Sequence, residues 1–333
     1  MNIVDVAQAA GVSKTTVSRV LSNSKQVKES TKQQVRRVIE ELGYTPNTSA
    51  QTLAGAKNYV IGIINDIQIS DPFYGYIDDL LAEECNKRGY GVVYAVAQSA
   101  ENGCGKEIAM LYGKVDGFIF TGDDSDHEHS YKEDICKLTQ LGIPVALLKT
   151  GIQMDHSLSV DVDNKFGGFQ AANFILDRKY KRIGYMHGGI DGSFHEGTER
   201  EKGFIKAIKQ RNSSIFRDYY CNRLYMTAYD NAKDIVESGI DVLFCETDLM
   251  AYGAIQGILD LGYSIPKDIA ILGYDNFKFR NYQTKIELST IAQPLEAMAS
   301  YIVGELIGKI KESQSFENEI KLFDTYVVEG KTV

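Results

Sequence analysis

The 333-residue chain has no tryptophan, so a binding event would have to be followed through tyrosine emission or heat. Cysteine is scarce too. Its five positions, 85, 104, 136, 221 and 245, are odd in number, widely spaced and without a C-x-x-C pair. That excludes a disulfide framework and points to reduced thiols in a cytosol. No apolar run reaches eighteen residues, no low-complexity tract occurs, and the first residues form no apolar leader. A membrane partner is therefore not expected, and a cytoplasmic location is. Gly188-Gly189-Ile190-Asp191-Gly192 lacks the G-x-G-x-x-G spacing of a dinucleotide loop. Asp123 to His129 holds metal-ligand residue types. Without a cysteine or a helical i, i+4 histidine pair it reads as a solvated acidic loop. No Ser-His-Asp arrangement follows from spacing, and no catalytic residue, metal or cofactor is assigned.

Basic charge is in deficit overall, 36 Lys/Arg against 45 Asp/Glu, but not at the start. Residues 1–58 carry eight Lys/Arg against four Asp/Glu, net +4, while residues 59–333 carry 28 against 41, net −13. A basic head on an acidic body suits phosphate contact at one end only. The head's residues agree. Between Asp5 and Leu21, Ala7 and Ala10 permit a close helix crossing, and Gly11 can take the left-handed turn that ends a helix. Ser13 can cap the next helix through the N–H of Thr15 or Thr16. The spacing predicts Val17 and Leu21 facing inward and Lys14, Thr15, Ser18 and Arg19 outward. This is the pattern of a helix-turn-helix that meets duplex DNA in the major groove. Lys14, Thr15 and Arg19 are candidate base readers, and Ser13, Thr16 and Ser18 candidate phosphate contacts. Lys14 as a phosphate contact only, or a helical hairpin with no ligand, are the alternatives. Val35, Val38, Ile39 and Leu42 then mark one face of a third helix, stopped by Gly43. Lys28 is a poor cap for it, so Ser30 or Thr31 is expected to cap instead, or the first turn to fray.

The run DVAQAAGVSKTTVSRVL, followed by EELGYTPNTSAQTLAG, resembles the lac-repressor (LacI) family of bacterial transcriptional regulators. The likeness continues through DPFY, VDG, GIP, SVDVDN, ERxKGF, TDLMAYGA, IPKDIAILGYDN and IAQPLEAM, and so spans essentially the whole chain. It implies a homodimer or tetramer on a pseudo-palindromic double-stranded operator. It further implies a small-molecule, sugar-like effector in a cleft of the body. The segment after Pro46 would be a hinge helix that orders on DNA, with Asn47, Ala50, Gln51 and Leu53 in contact and Leu53 wedged into the minor groove. Read alone, Thr48 to Ala54 is barely two turns, marginal in water, and Leu53 could instead pack on the body. Most relatives carry Arg where this chain has Gln51, so one groove contact is missing.

From Tyr59 on, apolar runs of strand length (60–64, 91–96, 117–120 and 143–148) alternate with helical-period segments such as 76–88 and 131–141. Continuous apolar strands between helices predict a parallel sheet covered on both faces. A second set begins near Ile183 and includes 242–245 and 269–272. About 275 residues are too many for one open sheet with a single core, so two lobes are expected. The expected fold is a small all-α helix-turn-helix head plus an α/β, two-lobed, periplasmic-binding-protein-like body of parallel sheets flanked by helices. The expected boundaries are 1–46 for the head and 47–58 for hinge and linker. The first lobe takes 59–161 with 291–322, and the second 162–290 with 323–333; the crossings near 161, 290 and 322 are implied by the resemblance.

Ligands in such sheets bind beyond the carboxyl ends of the strands. That selects Asp71, Phe73, Asp123 and Lys149 from the first lobe, and Phe194, Arg200, Tyr225, Thr247 and Asp275 from the second, with Gln293 near a crossover. Aromatic faces with Asp and Arg forks suit a polyol. In relatives the positions of Arg200, Thr247, Asp275 and Gln293 contact the effector, and Tyr225 stands where some have a stacking aromatic. An inter-lobe ion pair between Arg200 and Asp275 is the structural alternative. Sugar-responsive relatives commonly have Asp where this chain has Lys149 and Asn where it has Thr247. Lys149 keeps a sugar phosphate open beside a neutral sugar, unless it turns to solvent or pairs with Asp123, Asp124 or Asp161. Effector binding would change the angle between lobes and so the hinge helices, with coupling of roughly 1–3 kcal/mol. Repression relieved by the effector and co-repression both remain open. A transporter's solute-binding protein would need an export signal and no basic helix-turn-helix. A sugar-acting enzyme would need an acid–base set or nucleophile that the sequence does not offer.

Overall fold

The computed structural model describes residues 2–21, 26–43, 57–65, 71–97, 104–122, 130–189, 195–277 and 286–333. They fall into two units, Met1–Asn58 and Tyr59–Val333. In the first, Asn2 opens α1 (Ile3–Ala9) with a reciprocal cap. Its side chain accepts from the Val4 and Asp5 N–H, and the Asp5 carboxylate accepts from the Asn2 N–H. Gly11 takes φ 63, where a side chain would be strained. Ser13 Oγ then accepts from the Thr16 N–H at 3.1 Å and starts α2 (Lys14–Leu21). The third helix, α3 (Glu29–Leu42), stops at Gly43 with φ 58. Lys28 sits at its cap without a side-chain bond, and Ser30 and Thr31 lie inside the first turn, so neither replaces it.

The three helices close on Val6, Ala7, Ala10, Val17, Val20, Val35 and Val38. The second inward residue of α2 is thus Val20 rather than Leu21, which is half-buried at the rim. Gln34 Nε2 donates to the Ala10 carbonyl at 3.0 Å and ties α3 to the end of α1. The hinge candidates Asn47, Ala50, Gln51 and Leu53 lie outside the described residues.

The second unit holds two six-stranded sheets. The first comprises β1 (Val60–Asn65), β2 (Gly91–Val96), β3 (Gly117–Thr121), β4 (Val145–Leu148), β5 (Leu158–Val162) and β11 (Glu319–Phe323). All are parallel, in the order β11-β5-β4-β3-β1-β2. Helices α4 (Pro72–Lys87), α5 (Gly105–Leu111), α6 (Ser130–Gln140) and α12 (Leu295–Glu312) accompany it. The second sheet comprises β6 (Ile183–His187), β7 (Ile215–Tyr220), β8 (Val242–Cys245), β9 (Ala270–Asp275), β10 (Ser289–Ala292) and β12 (Tyr326–Val328). Their order is β12-β10-β9-β8-β6-β7, with only β12 antiparallel. Its helices are α7 (Asn164–Asp177), α8 (His195–Gln210), α9 (Tyr225–Asp230), α10 (Ala232–Ser238) and α11 (Asp248–Asp260). The chain passes between lobes from β5 into α7, from β10 into α12, and from β11 into β12.

Inner strands such as β3 and β9 are buried along their length, as expected of strands with helices on both faces. The edge strand β2 is different: Val93 and Tyr94 are 42% and 38% exposed. Pro144 has no N–H to give a ladder, so β4 begins at Val145 rather than at Ile143.

One polar group sits awkwardly in the first lobe. Asp78 of α4 is 8% exposed; one carboxyl oxygen accepts from Asn65 Nδ2 at 3.3 Å and the other has no partner. Burial pushes the carboxyl up to about 6, against the Asn65 hydrogen bond, with Asp79 adding to the rise. A raised folded-state pKa favours the native state below about 4 and loses that advantage as pH rises through about 6. Asp78→Asn should therefore gain stability over the wild type across that window, by up to about 3 kcal/mol at neutral pH. Urea midpoints of both proteins from pH 4 to 8 test this, and parallel curves would contradict it.

Candidate functional site

In the head, α2 buries Val17 and Val20 and leaves Ser13, Lys14, Thr15, Ser18 and Arg19 exposed, with Thr16 half-buried beside its bond to Ser13. The exposed side chains stand at the start of the helix and one turn later. Helix-turn-helix proteins in general make their base-edge and phosphate contacts from the corresponding stretch of the second helix.

In the body, the carboxyl ends of both sheets supply the cleft residues. A cavity of about 40 Å³ is lined by Asp71, Phe73, Glu196, Arg200, Arg223, Thr247, Asp275 and Phe277. Asp71 caps α4, its Oδ1 accepting from the Phe73 and Tyr74 N–H, which fixes Phe73 at the mouth. Phe73 meets Phe277 of the other lobe edge to face, centroids 5.9 Å apart. Thr247 caps α11 through Oγ1 and the Met250 N–H. Asp123 and Phe194 lie outside the described residues.

Arg200 is 1% exposed and held on every side. Its Nε donates to Asn164 Oδ1 at 2.9 Å, Nη2 to Glu196 Oε2 at 3.0 Å, and Nη1 to the Glu246 carbonyl. The guanidinium lies 3.8 Å from the Tyr274 ring centroid. Asp275 is 3.8 Å from Nη2, and Gln293 Nε2 donates to Asp275 Oδ1 at 2.7 Å. Burial holds the Asp275 carboxyl well above its usual range, Asp248 adding to the rise and Arg200 opposing it. Neighbouring Asp248 accepts from the Thr290 hydroxyl and the Asn276 N–H, yet burial still pushes it up to about 7.

Two readings of the sequence need correction. Arg200 and Asp275 both belong to the second lobe, so they do not bridge the cleft. Among the described residues, an ion pair that does bridge it is Lys149–Glu196, 2.6 Å between first and second lobes, with Asp161 3.2 Å from the same ammonium. Lys149 thus pairs with two carboxylates, Asp161, which the sequence allowed, and Glu196, which it did not. Tyr225 does not line the cavity: its backbone starts α9 and packs against Gly253, and Arg223 takes the lining position.

Glu196, Arg223 and Phe277 were not anticipated. Glu196 could have been found from its i, i+4 spacing to Arg200 on a helix. Several cleft residues also hold unusual backbone: φ is 56 at Lys149, 59 at Arg223, 127 at Asp275 and 57 at Asn276. Such conformations cost about 1–3 kcal/mol each for residues with a side chain and concentrate at functional sites.

Comparison with known proteins fits both halves of this geometry. Residues 2–47 match bacterial regulatory proteins of the lacI family, and residues 172–333 match the periplasmic binding protein-like domain. The HTH-type transcriptional regulator DegA of Bacillus subtilis (strain 168) is 30% identical over 305 residues, covering 90% of this chain and 88% of DegA. The chain belongs to the lacI family. A solved lac repressor dimer bound to operator and the anti-inducer ONPF superposes with TM-score 0.80 at 22% identity, covering 100% of this chain and 98% of that one. A transcriptional regulator CelR–cellobiose complex gives TM-score 0.67 at 24% identity, with 100% of both chains covered. This lacI-family member is accordingly a DNA-binding transcriptional regulator with a helix-turn-helix and a two-lobed α/β body. Among its described residues, no helix is long and apolar enough to cross a membrane.

Proposed function

We propose that the chain is a cytoplasmic, homodimeric repressor that binds a pseudo-palindromic operator and is released by a small neutral polyol, a sugar, in the interlobe cleft. The observation that carries the DNA half is the exposed row Lys14, Thr15, Ser18 and Arg19 on a helix whose other face is sealed by Val17 and Val20. Dimerisation is supported by the edge strands. Two residues join β11 to β12, so β2 and β7 end the two sheets on the opposite edge. There Tyr94, Phe216 and Tyr220 are 38%, 55% and 53% exposed. A sugar is supported by Phe73 and Phe277 beside Asp71 and Asp275, by the pairing of Lys149 with Asp161 and Glu196, and by the cellobiose in the CelR complex. The cavity of about 40 Å³ adjoins a larger one of about 270 Å³ that shares Glu196 and is lined by Thr150, Asp161 and Asn164.

The test is a mobility-shift selection on palindromic duplexes, then calorimetry of the full chain with sugars and sugar phosphates. Arg19→Ala should weaken the selected operator by about 1–3 kcal/mol and relax preference at one base position, with little change on random DNA. Equal losses on both DNAs would reduce Arg19 to a phosphate contact. Tight binding of a sugar phosphate in preference to its parent sugar would overturn the neutral effector.

A further inference from the structure

The two lobes are joined by a cation that the chain supplies itself. Lys149 leaves β4 with φ 56, and its side chain is wholly buried. The ammonium sits 3.2 Å from Asp161 Oδ1 on its own lobe and 2.6 Å from Glu196 Oε1 on the other, with the Phe73 ring centroid 6.0 Å away. Burial alone would discharge the amine, but Asp161 and then Glu196 outweigh it and hold the pKa above its ordinary value. Glu196 in turn is held below the usual carboxylate range, because Lys149 and Arg200 overcome its burial. A buried ammonium between carboxylates from two lobes ties those lobes together. Separating them would take from buried Glu196 the nearest of the cations around it, leaving Arg200 and Arg223.

We propose that Asp161 and Glu196 form a primary-ammonium site across the cleft, and that Lys149 fills it as an internal ligand that closes the body. This rests on the reading of the cleft as the effector site and names how that site is regulated. The chain's own side chain provides the closing contact, and an effector acts by competing with it.

The experiment is chemical rescue in the full chain. Lys149→Ala removes three methylenes and an ammonium, the atoms of n-propylammonium. Hydrogen exchange should quicken in segments 145–162 and 195–210, one from each lobe. Adding n-propylammonium should restore protection in both, and 1-propanol should not. Unchanged exchange, or equal rescue by propanol, would overturn the proposal, the latter by showing that only volume was lost. If Lys149→Ala does not fold, Glu196→Gln keeps the shape and removes the charge. It should loosen both segments, without rescue by propylammonium, and unaltered protection there is equally fatal. Operator affinity of the loosened variant should move by roughly 5- to 150-fold. Loosened exchange with unmoved affinity would leave the clamp without a regulatory role and overturn it. Wild-type duplex preference is read in parallel. Its absence fails the regulator reading, whereas its presence with an unresponsive Lys149→Ala fails only the clamp.

Discussion

Gly203→Ala should destabilise the second lobe by about 3 kcal/mol or more, enough to separate its unfolding from that of the head in a urea titration. A methyl at this position would stand 1.8 Å from the Lys165 carbonyl oxygen and 3.0 Å from the Phe169 nitrogen. Its counterpart Gly168 is as tight, 1.8 Å from the Arg200 carbonyl oxygen. Backbone therefore meets backbone where α7 crosses α8, and no side chain can swing away to make room. Relief requires the helices to part, which opens the contact among Ala171, Ala172, Phe204, Ala207 and Ile208 that they share with β6 and β9. The intrinsic helix preference for alanine opposes this by only about 1 kcal/mol. A control within the same body isolates that term. Gly308 in α12 has nothing within 4 Å of a built methyl, so Gly308→Ala should stabilise by about 0.5–1 kcal/mol. If both variants shift the midpoint alike, the close approach of α7 and α8 is not limiting.

Those helices also show what was legible in the sequence. The head could be read almost completely because its signals are local. Gly11 takes a left-handed turn, Ser13 caps, Gly43 stops a helix, and Val17, Val35 and Val38 repeat at helical spacing. Val20 for Leu21 is a one-residue error in where a short helix turns its face. The cleft was legible to the extent that strand ends locate it: Asp71, Phe73, Arg200, Thr247 and Asp275 came from that rule and from the family likeness, and the cavity gathers them. Charge pairing was legible only within the lobe: Asp161 was among the partners open to Lys149, but nothing near Lys149 in the sequence indicates Glu196 of the other lobe. Arg223 was missed for a backbone reason. Asn222 and Arg223 take φ 49 and 59, which propensity assigns to glycine, and the turn after β7 therefore aims a side chain two residues before Tyr225 into the cleft. Short strands such as β12, with three residues, carry no period to detect, and the chain's crossings between lobes came from resemblance rather than from pattern.

Arg200→Met should cost about 3–5 kcal/mol, because the guanidinium donates to Asn164, Glu196 and the Glu246 carbonyl, all buried. The substitution keeps much of the volume over Tyr274, so the loss reports on charge and hydrogen bonding rather than on a void. Three acceptors lose a donor: Asn164 Oδ1, the Glu246 carbonyl and Glu196 Oε2. Glu196 then keeps only Lys149 and the more distant Arg223 of its cations, and the Asp275 carboxyl, already raised by burial, loses the cation that opposed the rise. The consequence for binding follows from the same count. The wild-type guanidinium is already engaged by the chain, so in the proposed effector site its contribution to affinity comes through the shape it gives Glu196, Asp275 and Asn164. Arg200→Lys should therefore fail nearly as badly as Arg200→Met, since one ammonium cannot span three acceptors held in a planar fork. Urea midpoints and calorimetry of both variants, below their unfolding temperatures, decide the matter. A lysine variant that is stable and binds effector like the wild type would show that a point charge suffices and that the fork is incidental.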